Sequence, residues 1–198
     1  MTHLMAFGHS IAQGYWDPEG GWIQRLRKYL DERYIEKQED QYDDYFFEVY
    51  NAGISGEDSS ELLERIEDEL ERRSQGKEDI VVLQIGNNDI QIENSSPRNT
   101  EDKFRSNLKS IIDSVQQEVD NVIFLGEGYI GDIEHSPGSE AKVSDKRLAR
   151  FEDIKADVCQ KNNIPFIDIR SEFSRGEWKI ISTMVFIRTP KDTKNYSN

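Results

Sequence analysis

A serine that directly follows a short apolar run is the first residue in this chain whose type and position suggest chemistry. Ser10 stands in the segment MAFGHSIAQG, just after the run that ends at Phe7. A serine hydroxyl can attack a carbonyl carbon when a base takes its proton and when hydrogen-bond donors hold the oxyanion that forms. The sequence must therefore also supply those donors and that base.

Two further polar segments follow later apolar runs and contain suitable donors. The segment NAGISGEDS contains two glycines, and the segment GNND contains two asparagines. The backbone N–H of a glycine and the side-chain amide of an asparagine can both donate to an oxyanion. Each segment alone is also typical of a turn, because Gly, Asn, Asp and Ser dominate turns. Together with Ser10, the two segments favour a serine hydrolase site.

Apolar periodicity predicts the strands that position these residues. Short β-rich runs alternate with longer segments of helical period, which is typical of parallel strands joined by crossover helices. The predicted strands cover residues 3–7, 46–51, 80–85, 122–126 and 165–169. Parallel strands end at one edge of their sheet, where α/β proteins bind ligands. We therefore predict that the three polar segments converge on one shallow cleft.

Four apolar stripes predict helices between these strands. They run from Trp22 to Tyr34, from Leu62 to Leu70, from Phe104 to Val119 and from Leu148 to Val158. The second stripe follows the capping-box pattern Asp58-Ser59-Ser60-Glu61, and Ser144 is the predicted N-cap of the fourth.

Composition excludes several classes of protein. The 198 residues suit one α/β domain, and 39 acidic against 25 basic residues give a net charge of −14. This charge argues against a nucleic-acid partner and against an anionic membrane surface; it indicates a solvated acidic surface or a high-salt cytoplasm. The chain has neither an apolar stretch of the roughly 18 residues that span a membrane nor a signal peptide, so we expect a cytoplasmic protein. Cys159 is the only cysteine and is predicted to be a buried thiol.

The three polar segments resemble the sequence blocks of the SGNH hydrolases, also called GDSL esterases and lipases. FGHSIAQG is similar to the nucleophile block, NAGISGEDS to the glycine block and GNND to the asparagine block, in family order. The resemblance runs from residue 4 to about residue 175. It implies that Ser10 is the nucleophile of an esterase acting on a small-molecule ester. Gly56, Asn88 and the backbone N–H of Ser10 would then be the oxyanion donors.

The same resemblance implies a fold. The family has a flavodoxin-like three-layer α/β/α sandwich with a five-stranded parallel sheet in the order 2-1-3-4-5. We expect no cofactor. Metal binding has little support, because Asp89, Asp132 and Glu134 lack the spacing of metal ligands.

The histidines of this chain depart from the family pattern. His9 stands where the family usually has aspartate, a position that is not the general base. The family's base comes from an Asp-x-x-His block near its last helix, but no histidine follows His135 in this chain. His3 and His9 are interpreted as structural. His135 lies in a predicted loop and is the one alternative base.

A shift of reading frame accounts for the missing block. The frame is shifted by taking one base from the Thr183 codon and reading the codons from Met184 onward displaced by that base. Permitted codons then spell DGFHPNTKGHKKLFK, which resembles the Asp-x-x-His block. The glycine of that string is forced by the unique methionine codon followed by a valine codon, whereas the other letters depend on a choice among synonymous codons. We therefore predict an SGNH hydrolase-like domain over residues 1–179 and an out-of-frame ending over residues 180–198, called the tail below. Gene sequencing tests this, because incompatible codons would contradict it.

Two functions of other classes remain open at this point. The GHSIAQG turn could bind a phosphate, although it lacks the spaced glycines and the lysine of a P-loop. Alternatively, the chain is a non-enzymatic remnant or binding module that keeps the cleft of an esterase. Turnover of a short p-nitrophenyl ester distinguishes a binding module from an enzyme.

Overall fold

The computed structural model describes residues 1–15, 17–36, 46–128 and 141–174. Its main feature is a parallel sheet formed by β1 (Thr2–Gly8), β2 (Phe47–Gly53), β3 (Ile80–Gln84), β6 (Asn121–Leu125) and β7 (Phe166–Ile167). A small antiparallel hairpin of β4 (Ile92–Glu93) and β5 (Ser96–Pro97) lies between β3 and β6 in the chain. The sheet order is β2-β1-β3-β6-β7, which is 2-1-3-4-5 when only its own strands are counted. The predicted sheet is confirmed.

Helices cover both faces of this sheet, as the three-layer prediction requires. They are α1 (Ser10–Gln13), α2 (Gly21–Glu36), α3 (Ser59–Arg73), α4 (Glu101–Glu118), α5 (Asp145–Lys161) and α6 (Ile169–Ser174). Alternate residues of a strand point to opposite faces. Met5 and Phe7 accordingly join a core cluster with α3, α4 and α5, whereas Leu4 and Ala6 join a second cluster with α2 and Ile169.

The predicted helix starts are confirmed at two positions. Asp58 accepts hydrogen bonds from the backbone of Ser60 and Glu61, and the Glu61 side chain accepts one from the Asp58 N–H, which completes the capping box. Ser144 accepts from the Arg147 N–H at the start of α5. These caps satisfy backbone donors that have no partner within the first turn of a helix.

The last predicted strand is partly wrong. Ile169 was predicted to end a strand but begins α6, while β7 is only Phe166–Ile167. The cause is Asp168, whose carboxylate accepts from the Ser171 N–H at 3.2 Å and so favours a helix start. Sequence periodicity also did not reveal α1 or the β4–β5 hairpin, because both are too short to show a period. Asn94 and Ser95 form the hairpin turn with φ of 50° and 64°.

Candidate active site

The three predicted site residues lie on neighbouring connections at the carboxyl edge of the sheet. Gly8 at the end of β1 is in register with Gly53 of β2 and with Gln84 of β3. Ser10, Gly56 and Asn88 follow these residues within a few positions of the chain. The topology therefore brings their three loops to the same edge, as parallel strands require.

Ser10 begins a single short turn of helix directly after β1. His9 is the N-cap of this helix, and Gly14 ends it with a left-handed φ of 87°. The Ser10 carbonyl accepts from the Gly14 and Tyr15 N–H groups at 3.0 and 2.9 Å. Ser10 is half-buried. The chain thus reverses sharply from strand to helix and keeps Ser10 at the rim of the sheet.

Hydrogen bonds join β2 and the loop that contains Gly56 to the end of β1 and the Ser10 turn. The Ile54 N–H donates to the Gly8 carbonyl at 2.9 Å, and Asn51 Nδ2 donates to the Ala12 carbonyl at 3.2 Å. Gly56 is exposed and has a φ of 85°, in the region that favours glycine. Apart from its two chain neighbours, no atom of the described residues lies within 4 Å of the position that a Cβ would take. The Gly56 backbone is therefore open to a ligand.

Asn88 connects the third loop to the glycine loop. Its Nδ2 donates to the Glu57 carbonyl at 2.7 Å, next to Gly56, and its Oδ1 accepts from Gln91 Nε2 at 2.9 Å. These two bonds fix the orientation of the buried amide. An amide nitrogen carries two N–H groups, and the bond to Glu57 uses one of them.

Asp89 anchors the same loop on the N-terminus of α3. Its carboxylate accepts from the Ser59 N–H at 3.1 Å, from Ser59 Oγ at 2.5 Å and from Asn99 Nδ2 at 3.0 Å. Burial raises the pKa of Asp89 to about 6, against the opposing effect of the Ser59 hydrogen bonds. Its oxygens are committed to these donors. The described part of the chain contains no group of three His, Cys, Asp or Glu side chains that could hold a metal.

A buried cluster of titratable groups lies beneath the Ser10 turn and is formed by Glu127, Lys155, Glu152 and the imidazole of His9. His9 Nε2 is 3.0 Å from Glu127 Oε2, and Lys155 Nζ is 3.3 Å from Glu127 Oε1 and 2.6 Å from Glu152 Oε1. His9 is only 1% exposed, and Glu127 and Lys155 are fully buried. The prediction that His9 is structural is consistent with this position.

The charges in this cluster stabilise one another. Burial alone would raise the pKa of Glu127, but the charge of Lys155 and the hydrogen bond from His9 lower it to about 2. Burial would lower the pKa of Lys155, but Glu127 and Glu152 raise it. Burial raises the pKa of Glu152. Sequence analysis missed three of these residues, although Lys155 gave a signal: it lies beside Ile154 and four positions from both Phe151 and Cys159, on the apolar side of α5.

Exposed apolar side chains surround the Ser10 and Gly56 loops. Ile11 is 45% exposed, Ile54 47% and Tyr15 54%. All three belong to the chain segments that contain Ser10 and Gly56, and exposed apolar side chains of this size are typical of surfaces that contact a ligand.

The remaining predictions fall on other parts of the chain. Cys159 is buried as predicted, and burial raises the pKa of its thiol to about 12. His3 is also buried, and its Nδ1 lies 2.5 Å from the Arg73 carbonyl. His135, Asp132, Glu134 and the tail lie outside the described residues. Among the helices of the described ranges, none combines the length and the apolar character that crossing a membrane requires.

Comparison with known sequences gives one family. The model of the GDSL-like Lipase/Acylhydrolase family matches residues 6–181. No curated protein sequence matches the chain.

Solved structures with the same fold include several esterases. The lipase/acylhydrolase from Enterococcus faecalis superposes with a TM-score of 0.62 at 24% identity, covering 88% of this chain and 80% of that one. A catalytic mutant of Axe2, an acetylxylan esterase from Geobacillus stearothermophilus, gives 0.66 at 19% identity, covering 88% and 79%. The acetyl xylan esterase AlAXEase gives 0.65 at 23% identity, covering 92% and 83%. At these identities the likeness establishes a shared fold.

Proposed function

Since this chain belongs to the GDSL-like lipase/acylhydrolase family, whose members are hydrolases of ester bonds, we propose that it is a serine esterase with Ser10 as its nucleophile. The observation that carries this proposal is the hydrogen-bonded chain of three loops. The Ser10 turn is bonded through Asn51 to β2, which leads into the glycine loop, and the glycine loop is bonded to Asn88 through the Glu57 carbonyl. A nucleophile and two kinds of oxyanion donor are thereby held at one edge of the sheet.

The proposed reaction proceeds through an acyl-enzyme. Ser10 Oγ attacks the ester carbonyl carbon while a base removes its proton, and the alcohol leaves. Three donors stabilise the oxyanion: the backbone N–H groups of Ser10 and Gly56, and the second N–H of Asn88 Nδ2. Water then attacks the acyl group and releases the acid, which restores the serine.

We propose that this chain lacks the general base that would take the Ser10 proton. His9 cannot serve, because it is 1% exposed and its Nε2 contacts the Glu127 carboxylate. We propose that the tail is an out-of-frame ending and that the intact ending carries an aspartate and a histidine. The family match ends at residue 181, beside the proposed frameshift, which supports this boundary. Loss of a catalytic histidine lowers turnover by about 10⁶-fold in a well-studied serine hydrolase.

A replacement of the ending tests both proposals. One chain keeps the sequence as given, and in a second the shifted-frame string replaces everything after Lys179, each with a Ser10→Ala version as its control. We expect p-nitrophenyl acetate turnover to rise by several orders of magnitude in the second chain and to disappear in its Ser10→Ala version. An unchanged rate would contradict the proposed frameshift. Equal turnover with and without Ser10 would contradict the nucleophile.

The substrate class follows from the relatives named above. Two of them are acetylxylan esterases, so we propose small acyl or acetyl esters as substrates. Turnover of p-nitrophenyl acetate should exceed that of the octanoate ester in the chain with the restored ending. The reverse order would contradict a preference for small acyl groups. If neither chain turns over any ester, the proposal of a non-enzymatic binding module replaces the esterase.

A further inference from the structure

The residue before the proposed nucleophile occupies an unusual position in the hydrogen-bond network. His9 is the N-cap of α1, with an extended backbone at φ −97° and ψ −155°, and its side chain points into the protein. Both ring nitrogens of His9 have a partner. Whether that partner donates or accepts determines whether the nitrogen carries a lone pair or a proton.

The two partners differ in kind. Nε2 lies 3.1 and 3.0 Å from the two carboxylate oxygens of Glu127, which can only accept, so Nε2 carries a proton. Nδ1 lies 3.4 Å from the Ile11 backbone nitrogen, which donates, so Nδ1 carries a lone pair. Together the contacts describe a neutral imidazole. In an imidazolium, Nδ1 would also carry a proton. Its N–H would then face the Ile11 N–H, and the hydrogen bond from Ile11 to Nδ1 would be lost.

The position of Glu127 is itself fixed. Its carboxylate contacts Lys155 at 3.3 Å, and its backbone N–H donates to Glu152 Oε2 at 3.0 Å. Lys155 in turn lies against Gly86, where a Cβ would come within 2.8 Å of the lysine Cε. The cluster therefore connects the Ser10 turn with the ends of β3 and β6.

We propose that His9 is a positioning residue that, as a neutral imidazole anchored on Glu127, holds the helical turn that presents Ser10. This inference rests on the proposed function of Ser10. A side chain that caps the turn at Ile11 restricts the backbone of Ser10, which lies between the two. A nucleophile gains from such restriction, because reaction requires its oxygen to stay in one orientation.

The first test needs no substitution. A long-range proton–nitrogen spectrum of the nitrogen-labelled full chain at neutral pH should show His9 with Nε2 protonated and Nδ1 unprotonated. A spectrum with both nitrogens protonated, or with the opposite tautomer, would overturn the proposal. This test is independent of catalysis, so it separates a failure of the inference from a failure of the esterase proposal.

The second test compares conservative variants. His9→Asn keeps an acceptor oxygen near Nδ1, whereas His9→Gln keeps a donor towards Glu127 but no acceptor for Ile11. We expect the Ile11 amide to exchange its hydrogen about fivefold faster in His9→Gln and at nearly the original rate in His9→Asn, since loss of an N-cap costs about 1 kcal/mol. Equal exchange rates in the parent chain and in both variants would contradict the proposal. His3→Gln, at the other end of β1, is the control for a general loss of stability.

The third test measures Ser10. In the chain with the restored ending, acylation by p-nitrophenyl acetate should slow in His9→Gln with kcat reduced more than KM is raised, and His9→Asn should recover part of the loss. A change in KM alone would contradict a role in positioning the nucleophile. If Ser10 is not acylated in any version, the esterase proposal fails while the first two tests still decide the role of His9.

Discussion

Lys155 lies 3.3 Å from the Glu127 carboxylate, and both side chains are fully buried. Removing one partner of a buried ion pair leaves an uncompensated charge. We expect Lys155→Met to lower the free energy of unfolding by about 3 kcal/mol or more, because Glu127 and Glu152 then remain as neighbouring carboxylates. Lys161→Met is the matched control in the same helix, since the exposed Lys161 pairs with Asp157 on the surface. That control should cost less than about 1 kcal/mol in urea unfolding.

Acid should weaken the fold through Glu127. Its pKa is lowered from 4.5 to about 2 in the folded protein, so its stabilising effect is complete above pH 4.5 and is lost as the pH falls towards 2. Unfolding free energies measured between about pH 5 and about pH 3 should therefore fall less steeply for Glu127→Gln than for the parent chain. Parallel pH profiles would contradict this assignment.

Asp89 should have the opposite pH dependence. Burial raises its pKa from 3.8 to about 6, so the folded state binds a proton more tightly than the unfolded state. Stability from this group is highest below pH 3.8 and declines as the pH rises to about 6. Asp89→Asn keeps an acceptor oxygen for Ser59 and removes the charge. We expect the stability of this variant, measured by thermal unfolding, not to decline between about pH 4 and about pH 6. A decline as large as that of the parent chain would show that another group causes it.

Two glycines with similar backbone angles should respond differently to alanine. Gly14 and Gly56 have φ values of 87° and 85°. Within the part of the chain that the structure describes, a Cβ on Gly56 meets no further residue within 4 Å, so Gly56→Ala should cost only the backbone strain of about 1–2 kcal/mol. A Cβ on Gly14 falls against the Gly20 carbonyl, which adds about 1–3 kcal/mol of steric cost. Equal losses in denaturant unfolding would contradict the described packing at Gly14.

The aspartate that is usual in the family should not suit position 9 here. His9→Asp brings a third carboxylate towards Glu127 and Glu152, with Lys155 as the one cation of the buried cluster. His9→Asn has the same shape without the charge. We expect His9→Asp to be less stable than His9→Asn by about 1 kcal/mol or more at neutral pH, a difference that shrinks when acid protonates the carboxylates. Equal stability at neutral pH would contradict a charge-sensitive cluster.

The sequence predicted the sheet because its strands and helices repeat apolar residues at clear intervals, as Leu62, Ile66 and Leu70 do in α3. It also identified the loops of Ser10, Gly56 and Asn88, since polar residues directly follow buried strands. It missed the role of Lys155 because a lysine is normally solvated and its partner Glu127 belongs to another segment. That pairing exists only in the tertiary structure. Asp168 similarly shortened β7 through one local hydrogen bond that periodicity does not detect.

The central place of β1 has a consequence for how the protein assembles on the ribosome. Leu4 is paired with Val49 on one side and with Ile80 on the other. A nascent chain must therefore extend past residue 80 before its first strand gains both neighbours, and closing such long loops slows folding. The strands that precede Ser10, Gly56 and Asn88 can then pair while the end of the chain is still being translated. We therefore expect the central strands to pair before the tail is translated, whether or not the tail is changed.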